Sequence, residues 1–113
     1  MAYISRMPTT APDLFRTLAD PTRRAIYERL AREGELTVSA LTKRAGVSQP
    51  AVSQHLGVLR TAGLVTERRE GRSTHYRAEP KGLAPLAKWL ETYGQFWRDR
   101  FARLERLLEE MDR

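Results

Sequence analysis

The chain has 113 residues, 41% of them hydrophobic and 30% charged, enough for one ordinary domain and too few for several. The hydrophobic share excludes wholesale disorder, no run of eighteen apolar residues is present to cross a membrane, and the absence of cysteine excludes disulfides, thiolate metal sites and a cysteine nucleophile. The 20 Lys+Arg against 14 Asp+Glu leave +6; residues 41–77 hold seven basic and two acidic groups (+5), against +1 for residues 1–40 and 0 for 78–113, and such a basic segment points to a polyanionic partner.

Residues 1–11 lack the basic start and apolar stretch of a secretory signal, so the expected address is cytoplasmic, and they are expected to form a flexible N-terminal segment. Asp13 to Ala19 places Leu14, Phe15 and Leu18 at helical spacing. Asp20 followed by Pro21 restarts a helix, because Asp caps orphan amides and Pro suits the first helical position; Pro21 to Arg32 is a second helix with Ile26 and Leu30 inward. Gly34 ends it. Thr37 caps a short third helix expected to run to Ala45, with Val38 and Leu41 buried, and Gly46 supplies the left-handed residue that stops it. Ser48 caps the next.

The fourth helix, Gln49 to about Ala62, places Val52, Leu56 and Leu59 on one stripe and Pro50, Ser53, Gln54, Gly57 and Thr61 on the other. From Ala45 to Leu59 there is no charge, although this is the most basic third of the chain. An ordinary solvated helix shows Lys or Glu on its outer face. Ser and Gln hydrogen-bond base edges, whereas flanking arginines neutralise phosphates, so the pattern suits a helix that reads a DNA groove. Gly63 closes the helix. Leu64 to Arg69 and Ser73 to Ala78 then flank Glu70, Gly71 and Arg72 as a hairpin, anchored by Val65 and Tyr76 and carrying Arg68, Arg69, Arg72 and Arg77. Those arginines suit phosphates or a minor groove.

Two short helices joined by a Gly turn and followed by a basic hairpin make a helix-turn-helix with a wing. The stretches LFRTLADPTRRAIYERL, ELTVSALTKRAGVSQPAVSQHLGVLRTAGLV and ERREGRSTHYRAEP together resemble the ArsR family of bacterial winged-helix regulators, over residues 14 to 108. The resemblance implies a mainly α fold with a small β-hairpin, α-α-α-α-β-β-α, acting as a homodimeric repressor that binds a double-stranded operator of inverted-repeat form. It divides the single domain into a winged-helix core at 14–78 and a C-terminal dimerisation helix at 80–112. It puts Ser48, Gln49, Pro50, Ser53 and Gln54 in the major groove, with Arg68, Arg69 and Arg72 on the wing. His55 stands at the edge of the apolar stripe, either a groove contact or a core histidine.

The departures from the family matter as much. Members that sense arsenic or lead carry cysteines in a segment like ELCVC, where this chain reads ELTVS, with Thr37 and Ser39 at those positions. Members that sense zinc or nickel through the last helix use Asp and His pairs, and the corresponding positions fall near Pro80, Gly82, Tyr93 and Phe96, which offer no ligating side chain. No metal site and no cofactor are therefore expected, and the resemblance is to a metal-free subgroup with an aromatic-rich last helix. In that helix Trp89, Tyr93, Phe96, Trp97, Phe101, Leu104 and Leu108 recur at three- and four-residue intervals, a stripe that suits a second copy of the chain together with Leu14, Phe15 and Leu18. Gly94 is a candidate break in it. The chain offers no phosphate loop and no nucleophile, base and orienting acid at meaningful spacing, which argues against an enzyme. Two other readings stay open at this level: a winged-helix module that binds only protein, and a repressor answering to metal through His55, His75 and carboxylates.

Overall fold

The structure, a computed structural model, describes residues 9–112. Helix α1 (Ala11–Ala19) starts in a capping box: the Thr10 hydroxyl accepts from the Asp13 amide at 3.3 Å and the Asp13 carboxylate accepts from the Thr10 amide at 3.3 Å. Of the expected flexible segment 1–11, residues 1–8 lie outside the described residues, and Ala11 is already helical. Helix α2 (Pro21–Glu33) is capped by Asp20, whose Oδ1 accepts from the Arg23 amide at 2.9 Å. That bond holds the Asp20 carboxyl below the usual carboxylate range. Helix α3 (Val38–Lys43) is capped by Thr37 and helix α4 (Gln49–Thr61) by Ser48, so the short pair is nucleated by side chains as its sequence requires.

Helix α3 stops two residues before the expected Ala45. Arg44 leaves helical geometry, the Ala45 amide donates to the Thr42 carbonyl at 3.2 Å, and Gly46 turns the chain at φ +73°, which an L side chain adopts only with strain. The expected two-stranded hairpin is a three-stranded antiparallel sheet. Strands β2 (Val65–Glu70) and β3 (Ser73–Ala78) pair as foreseen, while β1 (Leu36–Thr37) adds to the other edge of β3 in the register Leu36↔Tyr76 and Thr37↔His75. Two residues are too short to show a period of two, so the sequence carried no sign of β1.

The core lies where α1, α2, α3, α4 and the root of the sheet meet. Leu14, Leu30, Leu41, Val52, Leu56, Leu59, Leu64 and Val65 are fully buried there, with Ile26, Tyr27 and Tyr76 beside them. Leu14 therefore belongs to the core of its own chain and is not free to meet a partner, because α1 turns it inward against α2; Leu18 is half-buried against the same cluster.

A single 3₁₀ turn, Pro80–Leu83, leads into helix α5 (Ala84–Met111). The turn sits hard against the α4–β2 corner: a Cβ on Gly82 would stand 2.2 Å from the Gly63 carbonyl oxygen, a distance no side chain survives. Helix α5 runs through Gly94 unbroken, 28 residues and about 42 Å long at the standard rise. It leaves the body after Leu83 and Leu86, which still pack on the core, and gives the molecule extents of 66 × 36 × 20 Å and a radius of gyration of 18.8 Å. A compact chain of about 100 residues has ~13 Å. Among the described residues, no helix is long and apolar enough to cross a membrane.

Candidate nucleic-acid interface

Helix α4 packs with the phase its sequence set. Val52, Leu56 and Leu59 have no exposed surface, while Gln49, Pro50, Ser53, Gln54 and Thr61 face solvent and Ser48 caps at the exposed start. From Gln49 to Leu59 the outer face thus presents hydroxyl and amide groups with no charge among them, supported from behind by Val52, Leu56 and Leu59, which fix its rotation; the first charge on the helix is the exposed Arg60 in its last turn. His55 does not join this face. It is half-buried, with Nδ1 sealed from solvent and without a hydrogen-bond partner among the described residues. Of the two places the sequence left open to it, a groove contact or a core position, this partial burial matches the second in part, because position 55 falls on the flank of the buried stripe.

The wing turns on alternation. Along β2, Thr66, Arg68 and Glu70 point to one side of the sheet and Val65, Glu67 and Arg69 to the other. The second side is the one toward α4, since Arg60 at the end of α4 pairs with Glu67. Tyr76, the cross-strand partner of Glu67, donates to it, and this hydrogen bond is the main reason the Glu67 carboxyl sits below its ordinary range. Arg69 thus emerges on the α4 side, and Arg72 stands at the tip beside Gly71; neither makes an ion pair among the described residues.

Arg68, expected to meet phosphate with them, lies on the opposite face and is engaged within the protein. Its Nε and Nη2 reach Glu35 and its Nη1 reaches Glu70 at 2.9 Å. Glu35, in the loop before β1, was not singled out from the sequence, and no local spacing could have revealed it: the two residues are 33 positions apart.

A small helix pair carrying an uncharged exposed helix, followed by a β-wing with arginines at its tip, defines a winged helix-turn-helix protein. A family model for a helix-turn-helix domain matches residues 18–68. The chain is 50% identical over 88 residues to the HTH-type transcriptional regulator Rv2034 of Mycobacterium tuberculosis, covering 77% of this chain and 78% of that one. It is 36% identical over 100 residues to the arsenical resistance operon repressor of Escherichia coli, covering 88% and 83%. The crystal structure of an ArsR family transcriptional regulator superposes with a TM-score of 0.70 at 30% identity, covering 84% of this chain and 97% of that chain. This chain belongs to the ArsR family of winged helix-turn-helix transcriptional regulators.

Proposed function

We propose that the protein is a DNA-binding transcriptional repressor that acts in the cytoplasm as a homodimer on an inverted-repeat operator. Helix α4 enters the major groove with Gln49, Pro50, Ser53 and Gln54, capped by Ser48, and the wing brings Arg69 and Arg72 to the flanking backbone. The observation that carries this reading is the outer face of α4 from Gln49 to Leu59: exposed, rotationally fixed by three fully buried residues, and uncharged inside the most basic segment of the chain. A merely solvated helix has no reason to combine those three properties.

Dimerisation rests on α5. Trp89, Tyr93, Phe96, Trp97, Phe101, Leu104 and Leu108 are 40–58% exposed, forming an apolar strip along a helix that has left its own core. Phe15 extends the strip from α1, edge-on to Trp89 with ring centroids 5.2 Å apart. Such a strip is larger than a lone protein in water normally leaves open, and a second copy of the same helix is self-complementary to it. A two-fold dimer can also set its two reading helices about 34 Å apart, one turn of the duplex, and the proposal requires that spacing.

Metal independence is part of the proposal. Thr37 uses its hydroxyl to accept from the Ala40 amide at 3.1 Å and so cap α3, Ser39 carries only a hydroxyl, and Tyr93 and Phe96 stand on the apolar strip. Selecting bound duplexes from a random pool tests the whole reading. An enriched inverted repeat with half-sites one helical turn apart is the expected result; enrichment of no sequence would sink it.

A further inference from the structure

The outer face of the wing holds a set of charges that DNA reading does not use. Arg68 makes a forked contact to Glu35, with Nε at 3.2 and 3.1 Å from the two carboxylate oxygens and Nη2 at 2.7 Å from Oε1. Its remaining nitrogen donates to Glu70 at 2.9 Å. His75, the cross-strand partner of Arg68, places Nδ1 3.7 Å from Glu35 and Nε2 3.8 Å from Glu70, and Arg77 on the same face donates to the Thr66 hydroxyl at 3.2 Å. Every charged side chain on this face is thus turned toward another part of the protein, whereas Arg69 and Arg72 are not.

The fork does something specific to the wing. Strands β2 and β3 project from the core at Leu64, Val65 and Tyr76, with the Arg60–Glu67 pair holding the α4 side and β1 pairing β3 as far as His75; beyond these the side chains are largely solvated, so little packing fixes the angle of the tip. Glu35 belongs to the loop between α2 and β1, a part of the body. A planar guanidinium gripped at two edges by carboxylates restricts direction as well as distance, which a single contact does not. Exposed ion pairs contribute little to stability, so the value of this one lies in where it holds the wing.

We infer that Arg68 is a positioning residue: its fork to Glu35, braced by Glu70 and His75, sets the angle of the wing so that Arg69 and Arg72 reach the DNA backbone, and Arg68 itself contacts no phosphate. This rests on the DNA-binding reading above and adds a division of labour within the wing. The two roles for Arg68 predict opposite outcomes. If Arg68 neutralised a phosphate, Glu35→Gln would release it and tighten binding, and Arg68→Gln would reduce the salt dependence of binding by about one counterion.

The test uses the full chain and the operator duplex selected as above, with affinity measured from low to moderate salt. Arg68→Gln and Glu35→Gln are each expected to weaken binding by about three- to ten-fold with the salt slope unchanged, and the double variant to be no worse than either single one. The reversed pair, Glu35→Arg with Arg68→Glu, is expected to recover most of the loss. Tighter binding by Glu35→Gln, or a slope lowered by one in Arg68→Gln, overturns the assignment. Amide hydrogen exchange of β2 and β3 without DNA separates the two layers of argument: faster exchange in both single variants is expected, and exchange equal to wild type refutes the clamp. Should the wild-type protein bind no duplex, the DNA reading fails and the exchange arm alone decides the clamp.

Discussion

Gln54 shows how one side chain carries both kinds of constraint. Its neighbours Val52 and Leu56 are wholly buried, so the helix cannot rotate, and the amide is held outward where it can pair in two-pronged fashion with an adenine edge. Gln54→Ala is expected to cost about 1–3 kcal/mol of discrimination between the operator and single-base variants, read by competition binding. Arg72, at the tip and unpaired among the described residues, has the other role: Arg72→Gln should weaken all duplexes alike and lower the salt slope by about one. Equal loss of sequence preference in both variants would contradict the division between reading and anchoring.

The carboxylates of the wing make a prediction of known sign at the same scale. Glu35 and Glu70 sit below the ordinary carboxylate range, each chiefly through a hydrogen bond from Arg68. A carboxyl depressed in the folded protein contributes stability above its unfolded value and loses it as pH falls through the folded one. Both groups are solvent-exposed, so the global effect is small, and the change should be local: amide protection in β2 and β3 should fall as pH drops from the usual Glu value of about 4.3 through the lower folded values, before the helical core unfolds. Protection unchanged down to the point of global unfolding would count against it.

At the scale of elements, the start of α5 is fixed by a contact between two glycines. The 3₁₀ turn approaches the α4–β2 corner so closely that any side chain at position 82 meets the Gly63 carbonyl at 2.2 Å, and both partners are backbone. Gly82→Ala is therefore expected to lower stability by about 1–3 kcal/mol, seen as a reduced thermal midpoint, and to shift the direction in which α5 leaves the body. Gly94, in contrast, has only the Arg98 guanidinium within 4 Å of its would-be Cβ, and Gly94→Ala should stabilise α5 or leave it unchanged.

For the whole molecule the decisive feature is a helix of about 42 Å on a body too small to cover it. Replacing Trp97 and Phe101 with Glu should yield a folded monomer by sedimentation with operator binding lost, although neither residue is placed at the DNA. A wild-type protein that sediments as a monomer at micromolar concentration would refute the linkage between dimerisation and repression. The same assembly should ignore stoichiometric zinc, arsenite or cadmium, and clear release of operator DNA by any of them would reveal a ligand set outside Thr37, Ser39, Tyr93 and Phe96.

The amino-acid sequence alone determined the starts of α2, α3 and α4 and the buried phase of α4, because these depend on residues one to four positions apart: Asp20, Thr37 and Ser48 each cap a helix whose apolar spacing follows at once; the Thr10 cap of α1 falls in the stretch expected to be flexible. It also determined the absence of charge from Ala45 to Leu59, a property of composition. The tertiary structure decided what depends on distant residues meeting. It drew Leu14 into the core and left Phe15 outside, sealed His55 Nδ1 from solvent, added β1 to the sheet, carried α5 straight through Gly94, and joined Arg68 to Glu35 across 33 positions. No local spacing records such pairings, since they arise only when packing closes the loops between them and the resulting burial and electrostatic gains offset the lost chain entropy.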